Sequence, residues 1–202
     1  MIIKDLESEY FGRDLEAMSF ALNYHKWILA EAGPFLGKEV AEVGAGSGNF
    51  SELLLDYVDS IIGFEPSENM FPLLKSCFEN NPRVRVEQAF FGNRVEVYEN
   101  YFDSLVYVNV LEHIEDDKAE LAYMFRSLKP GGHALVFVPA CPFLYGSIDK
   151  DLGHFRRYRK SGLLSLAAQQ GFEVSHARYF DIAGMLPWYV SFVMLNGSLT
   201  QG

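Results

Sequence analysis

The stretch Val40-Ala-Glu-Val-Gly-Ala-Gly-Ser-Gly-Asn-Phe50 decides how the rest of this chain is interpreted. It begins as an apolar, β-branched run that predicts a strand, and it then places three glycines within five residues. Residues 51–58 follow as a segment of good helix formers with an apolar face. A strand, a glycine turn and a helix in this order present backbone N–H groups to a bound ligand. The stretch therefore predicts a βαβ unit with a nucleotide-type site.

Composition limits the other classes of function. The 202 residues are 49% hydrophobic, which is enough for one domain with a sizeable core. The formal net charge of -10 argues against a broad electrostatic surface for nucleic acid, so we expect no nucleic-acid partner. Cys77 and Cys141 lie far apart and have no His or Cys neighbours at metal-ligand spacing. We expect reduced thiols, a cytoplasmic location and no metal site.

The two ends of the chain differ in character. The N-terminus is too acidic and too weakly apolar for a signal peptide. Near the other end, residues 182–195 form the longest apolar run, which is too short to span a bilayer. This run suits a buried helix, a homo-oligomer surface or a membrane-surface patch, and its lack of cationic residues weakens the last interpretation. We predict a single domain with a helical lid in 1–36, a cofactor-binding core in 37–180 and an apolar segment in 181–202.

Apolar runs alternate with helical segments along the core. The predicted strands lie at 39–43, 60–65, 84–88, 102–110 and 133–138, and the predicted helices at 15–32, 51–58, 67–78 and 111–128. This alternation is typical of an α/β fold, with a Rossmann-like, doubly wound, mostly parallel sheet covered by helices on both faces. Residues 172–180 suit a sixth strand, whereas a seventh strand is uncertain. Ligands bind such sheets at the carboxyl ends of the strands.

An acid stands where a second strand would end. Glu65 comes 21 residues after Gly44, close to the spacing at which βαβ units present an acid to ribose hydroxyls. Its two oxygens can accept hydrogen bonds from both hydroxyls of a cis-diol. We therefore expect Glu65 to bind a ribose.

Four segments resemble the class I S-adenosylmethionine-dependent methyltransferases over roughly residues 24–180. They are Glu42-Val-Gly-Ala-Gly-Ser-Gly48, Gly63-Phe-Glu-Pro-Ser67, the run from Phe102 to Leu111-Glu-His113, and Leu128-Lys-Pro-Gly-Gly132. Each segment is moderately specific, and the four in this order and spacing are strongly so. The resemblance implies S-adenosylmethionine as cofactor, S-adenosylhomocysteine as product, and in-line methyl transfer to a small-molecule acceptor.

The glycine spacing argues against the nearest rival, an NAD-dependent oxidoreductase. A dinucleotide fingerprint would place its third glycine at Asn49, whereas this chain has it at Gly48. An acid at Glu42 suits an ammonium group and would repel a pyrophosphate. A methyltransferase-like module that binds the cofactor without turnover remains the other alternative.

The resemblance also implies which residues bind the cofactor. Gly44–Gly48 would line the methionine moiety and ribose, Glu42 would bind the amino group, and Tyr24 would close the site. Many relatives have an acid after the third strand, but this chain has Gln88-Ala-Phe-Phe91, which predicts backbone and aromatic contacts to adenine. The full predicted set is Tyr24, Glu42, Gly44, Ala45, Gly46, Gly48, Asn49, Glu65, Pro66, Ser67, Met70, Ala89, Phe90, Asn109, Val110 and Leu111.

The acceptor side is less sharply predicted. His113 lies one turn past Asn109 and is a candidate base, although a packing or capping role is equally compatible with the sequence. The long connection 139–159 contains Tyr145, the second candidate His154, and the basic pair Arg156 and Arg157. These residues suit an acceptor that carries a carboxylate or phosphate. The alternative is that the arginines form salt bridges with the acidic surface.

Overall fold

A computed structural model describes residues 22–179 and 189–194. Within them, five parallel strands form one sheet in the order β3-β2-β1-β4-β5. The strands are β1 (Glu39–Val43), β2 (Ser60–Phe64), β3 (Val84–Glu87), β4 (Phe102–Val108) and β5 (Leu128–Phe137). The strand order reverses between β1 and β4, which places the topological switch point at the carboxyl ends of these two strands.

Helices connect the strands and cover both faces. They are α1 (Leu22–Ala32), α2 (Asn49–Leu54), α3 (Phe71–Phe78), α4 (Asp117–Ser127), α5 (Ser147–Asp151) and α6 (Lys160–Gln169). Short 3₁₀ turns occur at Gly33–Phe35, Phe91–Arg94, Leu111–His113 and Pro142–Leu144, and Tyr189–Met194 forms a π-helical turn. No helix within 22–179 or 189–194 has the length and apolar character needed to cross a membrane.

The core lies on both faces of the sheet. On one face, Val40 and Ile61 pack with Leu29 of α1 and Leu54 of α2. On the other face, a second cluster includes the neighbouring strand residues and helix α4; its buried members include Ala41, Ile62, Leu105, Leu121 and Met124. Adjacent residues of each strand therefore face opposite layers, which explains why the strands are apolar almost throughout. The predicted doubly wound α/β fold is confirmed.

The sheet departs from the prediction at its outer edge. Residues 172–179 were expected to begin a sixth strand, and this is wrong, because no strand occurs there. Side-chain contacts hold that segment instead: the Phe172 ring packs edge-on against Phe125 at 5.3 Å, and the Lys160 ammonium lies over the Tyr179 ring. Residue 180 lies outside the described residues. Among the described strands, β5 pairs with β4 alone, so its other edge borders a groove.

Several predicted element boundaries were wrong; for example, the helix predicted over 51–58 is α2, Asn49–Leu54. α3 begins at Phe71 and not at residue 67, because Ser67 instead turns back to hydrogen-bond with Glu65. The helix predicted over 111–128 is split into a 3₁₀ turn and α4, whose N-cap Asp116 accepts from the Ala119 N–H. β5 begins at Leu128, five residues early, and residues 129–132 form a bulge opposite Asp103.

Candidate active site

A glycine turn connects β1 to α2 at the switch point. Gly44, Gly46 and Gly48 have φ angles of 72°, 57° and 96°, a region that favours glycine. A Cβ atom on Gly44 would lie 2.4 Å from Cγ2 of Val110, which follows β4. The turn therefore brings the backbone after β1 closer to the residues after β4 than any side chain at position 44 would permit.

Glu65 joins the end of β2 to this turn. Its Oε2 accepts a hydrogen bond from the Gly46 N–H at 2.8 Å. Its Oε1 accepts from the Ser67 N–H at 2.9 Å and from the Ser67 hydroxyl. An ionised carboxylate has about four acceptor positions, and the Ser67 hydroxyl can give way to a ligand hydroxyl. Glu65 can therefore brace the turn and still accept hydrogen bonds from a diol.

Glu42 lies buried at the end of β1. Its Oε2 accepts a hydrogen bond from the Ser51 hydroxyl at 2.5 Å. Burial raises the pKa of Glu42 to about 8; the Ser51 hydrogen bond opposes this rise, and the negative charge of Glu65 adds to it. A carboxyl group in this state gains most from a cationic partner, since a nearby positive charge offsets the cost of burying the ionised form.

These groups fit S-adenosylmethionine as a ligand. The cofactor carries an ammonium group, a sulfonium and a ribose diol, and it carries no phosphate. Glu42 and Glu65 offer two buried carboxylates beside the glycine turn, which matches the cation and the diol. A pyrophosphate in the same place would bring no cation to Glu42 and would be repelled by the negative charge of Glu65.

The other predicted cofactor residues lie at the same edge of the sheet. Backbone ladders continue past the strands: Gly44 N–H donates to the Phe64 carbonyl at 2.8 Å, and Glu65 N–H donates to the Glu87 carbonyl at 3.1 Å. The fold thus brings the ends of β1, β2, β3 and β4 side by side. Ala45 and Asn49 belong to the turn and the start of α2; Pro66, Ser67 and Met70 connect β2 to α3; Ala89 and Phe90 follow β3; Asn109, Val110 and Leu111 follow β4.

Asn109 lies between the predicted cofactor residues and a cavity along β5, where the acceptor is predicted to bind. It has a φ of 53°, unusual for a residue other than glycine, and its N–H donates to the Phe137 carbonyl at 2.9 Å. Tyr24 of α1 packs edge-on against the Phe137 ring, with 5.6 Å between centroids. Asn109, Tyr24 and Phe137 line a cavity of about 740 Å³ that continues along the outer edge of β5 to Gly132. The structure thus places Tyr24 against the end of β5.

The two predicted histidines contact each other, and His154 lines this cavity. The rings of His113 and His154 lie 4.6 Å apart at an interplanar angle of 83°. Burial, and to a smaller extent the neighbouring His154, lowers the pKa of His113 to about 4. His154 Nδ1 lies 2.9 Å from Asp149 Oδ1, so this carboxylate sets the orientation of the ring.

Asp149 organises the connection after β5. Its carboxylate accepts from the Arg157 Nε at 2.7 Å and from the Gly146 N–H at 2.9 Å. Burial acts to raise the pKa of Asp149, but the hydrogen bonds from His154, Arg157 and Gly146 outweigh it and hold the pKa below its usual range. Asp149 is therefore the ionised centre of a buried charged network.

Tyr145 and Arg156 contact protein groups beside this network. The Tyr145 hydroxyl donates to the His154 carbonyl at 2.7 Å. Arg156 pairs with Asp117 at 2.6 Å and donates to the Glu115 carbonyl at 2.7 Å. These contacts agree with the structural alternative for the arginines, and a role in acceptor binding stays a prediction.

Sequence reasoning missed Glu112 and Asp149. Glu112 is fully buried beside His113, and the sequence had singled out only the histidine of this pair. Asp149 contacts residues five and eight positions ahead along the chain. An acid beside a histidine was visible at Glu112-His113, but the partner His154 is 41 positions away.

Known proteins of one family match this chain. The methyltransferase domain family matches it over residues 18–177. A probable S-adenosylmethionine-dependent methyltransferase of Mycolicibacterium smegmatis is 30% identical over 142 residues, which cover 68% of this chain and 53% of that protein. A ubiquinone biosynthesis O-methyltransferase of Thiobacillus denitrificans is 27% identical over 108 residues, 53% of this chain and 46% of that protein. The chain spans about half the length of these curated relatives.

Solved structures share the fold. An S-adenosylmethionine-dependent methyltransferase of Archaeoglobus fulgidus is 18% identical with a TM-score of 0.64, covering 80% of this chain and 75% of its own. Phosphoethanolamine N-methyltransferase 2 of Haemonchus contortus, in complex with phosphomonomethylethanolamine and S-adenosylhomocysteine, is 21% identical with a TM-score of 0.65, covering 75% of this chain and 37% of its own. The family match over most of the chain and the shared fold lead to one conclusion. This chain belongs to the class I S-adenosylmethionine-dependent methyltransferases.

Proposed function

We propose that this domain transfers a methyl group from S-adenosylmethionine to a small-molecule acceptor by in-line displacement. The observation that carries the proposal is the bridge from Glu65 to the Gly46 N–H, beside the buried Glu42. This bridge joins the glycine turn to the end of β2 and leaves acceptor positions for a diol. S-adenosylmethionine supplies a methyl group already activated by its sulfonium.

The residues of the chain then need to bind S-adenosylmethionine, align the acceptor with its methyl group and exclude water from the site. Glu42 holds the ammonium group, Glu65 holds the ribose hydroxyls, and Asn109–Leu111 lie beside the reacting end. An in-line displacement gains most from a nucleophile fixed at the correct distance and angle, and from a site that excludes water. We assign α1, within residues 1–36, to the closing of this site; residues 1–21 lie outside the described part of the chain.

The acceptor occupies the cavity beyond Asn109. A volume of about 740 Å³ suits a small molecule, and the lining is largely apolar, with His154 and Arg157 among its polar groups. Some similar proteins carry names that specify small-molecule acceptors, among them ubiquinone biosynthesis O-methyltransferases. We therefore keep His113, His154, Tyr145, Arg156 and Arg157 as the acceptor-side residues. Self-association through 182–195 and a cytoplasmic location also stay predictions.

Calorimetric titration with S-adenosylhomocysteine tests the cofactor assignment. Glu65→Ala should weaken binding by about 1–3 kcal/mol, because it removes the diol acceptor and one brace of the turn. Glu99→Ala is a control, since Glu99 is an exposed acid that pairs with Arg126 and precedes the start of β4. Unchanged affinity in Glu65→Ala would remove Glu65 from the site.

Two further outcomes separate the alternatives. Binding of S-adenosylhomocysteine without methyl transfer, across carboxylate, phenol and phosphorylated sugar acceptors, would favour a binding module without turnover. Tight NADH binding with no response to S-adenosylhomocysteine would overturn the proposed function.

A further inference from the structure

A carboxylate and two imidazoles meet where the 3₁₀ turn Leu111–His113 packs against residues 154–158. Glu112, His113 and His154 each offer one ligand atom, and these atoms all lie within 4.8 Å of one another. Glu112 is fully buried and His154 nearly so. We propose that Glu112, His113 and His154 form a binding site for a divalent transition metal ion, with Zn²⁺ as the best match.

The donor set selects the class of metal. Two imidazole nitrogens and one carboxylate oxygen are the ligands of catalytic zinc sites, which keep a further position open. Mg²⁺ and Ca²⁺ prefer oxygen ligands alone. In a tetrahedral site with bonds of about 2.1 Å, ligand atoms lie about 3.4 Å apart. The separations of up to 4.8 Å would therefore have to shorten by about 1.4 Å at most, by movement of Glu112 and His113 toward the His154 ring.

A second layer of contacts orients the ligands. Asp149 Oδ1 lies 2.9 Å from His154 Nδ1, which leaves Nε2 as the nitrogen that would bind the metal. A carboxylate on the outer nitrogen is the usual partner of a metal-bound histidine. Asp149 is itself held by Arg157 at 2.7 Å and by the Gly146 N–H at 2.9 Å. The His154 ring is therefore fixed before any metal binds.

Backbone contacts keep the two ligand-bearing segments together. The Phe155 N–H donates to the Glu112 carbonyl at 2.8 Å. The Tyr158 hydroxyl shares its one proton between two acceptors, the Leu111 carbonyl at 3.2 Å and Asp117 Oδ2 at 2.9 Å. Because these bonds join a turn after β4 to residues more than 40 positions further on, the fold brings His154 to the adjacent pair Glu112 and His113.

The site opens toward the acceptor cavity, since Glu112 and His154 both line it. A role of the metal in activating the acceptor rests on the proposed function, and it narrows the acceptors to molecules with a hydroxyl group. A metal-bound hydroxyl loses its proton to solvent more readily. Its oxygen electron pair then forms the bond to the methyl carbon, while the carbon–sulfur bond breaks and leaves its pair on sulfur. The expectation of no metal, drawn from the cysteines, did not consider this cluster.

Calorimetric titration of the chelator-treated 202-residue chain with Zn²⁺ tests the site. We expect one saturable equivalent, and Co²⁺ in its place should give the visible absorption of a tetrahedral complex. His154→Ala and Glu112→Gln should weaken Zn²⁺ binding at least about 100-fold, and Asp149→Asn should weaken it about 10–100-fold. His176→Ala is the control, because His176 is exposed and should bind no metal of this site.

The same samples are titrated with S-adenosylhomocysteine. Retained affinity in a variant demonstrates that it is folded, and it separates this proposal from the proposed function. Absence of saturable Zn²⁺ binding in the wild-type chain, or binding that His154→Ala leaves unchanged, would overturn the metal site and leave a hydrogen-bonded cluster. If the wild-type chain binds Zn²⁺ but does not bind S-adenosylhomocysteine, only the proposed function is overturned.

Discussion

The cofactor side and the acceptor side of this domain are built from different interactions. At the ends of β1 and β2, the site is shaped mainly by backbone groups. The Gly46 N–H donates to Glu65, and the glycine turn depends on positive φ angles. At the end of β5, side chains contact side chains, as in the network of Asp149 with His154 and Arg157. Substitutions on the cofactor side and on the acceptor side should therefore have separate effects, although the two halves share the strand β4.

The largest effect is expected on the acceptor side. Asp149→Ala removes the buried carboxylate that pairs with Arg157 and His154, and leaves a buried cation. We expect a loss of about 3–5 kcal/mol in the free energy of unfolding, measured by urea denaturation. The affinity for S-adenosylhomocysteine should change less than about twofold.

A matched control removes a surface acid. Asp59 pairs with Lys38 at 3.8 Å, and both side chains are largely exposed, so water screens the pair. Asp59→Ala should therefore have only a small effect on the unfolding free energy. A large loss of cofactor affinity in the folded Asp149→Ala protein would contradict the separation of the two halves.

The next effect is expected at the glycine turn. Gly44→Ala adds a Cβ atom 2.4 Å from Val110 Cγ2 at a φ of 72°. The left-handed conformation alone costs about 1–2 kcal/mol for a residue with a side chain. We expect that loss of stability together with a large loss of S-adenosylhomocysteine affinity, measured by calorimetry.

Two further variants sharpen this result. Gly44→Ala combined with Val110→Ala should recover the part of the lost stability that is due to the clash and not the part that is due to the φ angle. Gly162→Ala in α6 is the control, because a Cβ atom there meets open space. It should leave cofactor affinity unchanged and, at a helical position, raise stability by up to about 1 kcal/mol. Unchanged cofactor affinity in Gly44→Ala would contradict a cofactor site at the turn.

The fold was predictable where local pattern and burial agree. β1 was predicted with its observed bounds, Glu39–Val43, because an apolar run there ends directly in a glycine turn. β5 was placed too late because Lys129-Pro-Gly-Gly132 is typical of a break. In the structure the strand begins before these residues, and they form a bulge in which Lys129 pairs with Glu39 and Asp103. A tertiary ion pair of this kind leaves no local signal.

The candidate site likewise contains residues that the sequence predicted and residues that it did not. Its spacing from Gly44 predicted Glu65 as a ligand-binding acid, whereas the resemblance to the methyltransferases implied the role of Glu42. Glu112 was missed because its surroundings come from residues distant in sequence. Asp149 was missed although its partners lie within eight positions, because contacts at three, five and eight positions follow no helical or strand period. An acid near a helix start normally indicates a solvated side chain, and only the packing of residues 154–158 on the Leu111–His113 turn buries Glu112.

A pH dependence should distinguish the cofactor side from the rest. In the unliganded protein the pKa of Glu42 is raised to about 8 by burial, so Glu42 is protonated below that pH. A ligand ammonium favours the carboxylate, so binding releases a proton. The affinity for S-adenosylhomocysteine should therefore rise with pH toward about 8, by up to about tenfold per pH unit.

Calorimetry in two buffers of different ionisation enthalpy measures this proton release. Glu42→Gln should bind more weakly and lose this part of the pH dependence. The sign for folding is opposite: the raised pKa means that Glu42 contributes stability fully below pH 4.5, and this contribution is lost as the pH rises through about 8. Proton release that persists in Glu42→Gln would assign the titration to another group.

The smallest effect concerns Tyr24, which decides to which half α1 belongs. The resemblance assigned Tyr24 to the cofactor, whereas its ring packs edge-on against Phe137 at the end of β5. Tyr24→Ala removes this contact, and such aromatic pairs contribute about 0.5–1.5 kcal/mol. Tyr24→Phe keeps the ring and should retain that stability. If both variants bind S-adenosylhomocysteine as the wild type does, α1 closes the acceptor cavity; if both bind it more weakly, the hydroxyl contributes to the cofactor side and the boundary between the halves moves.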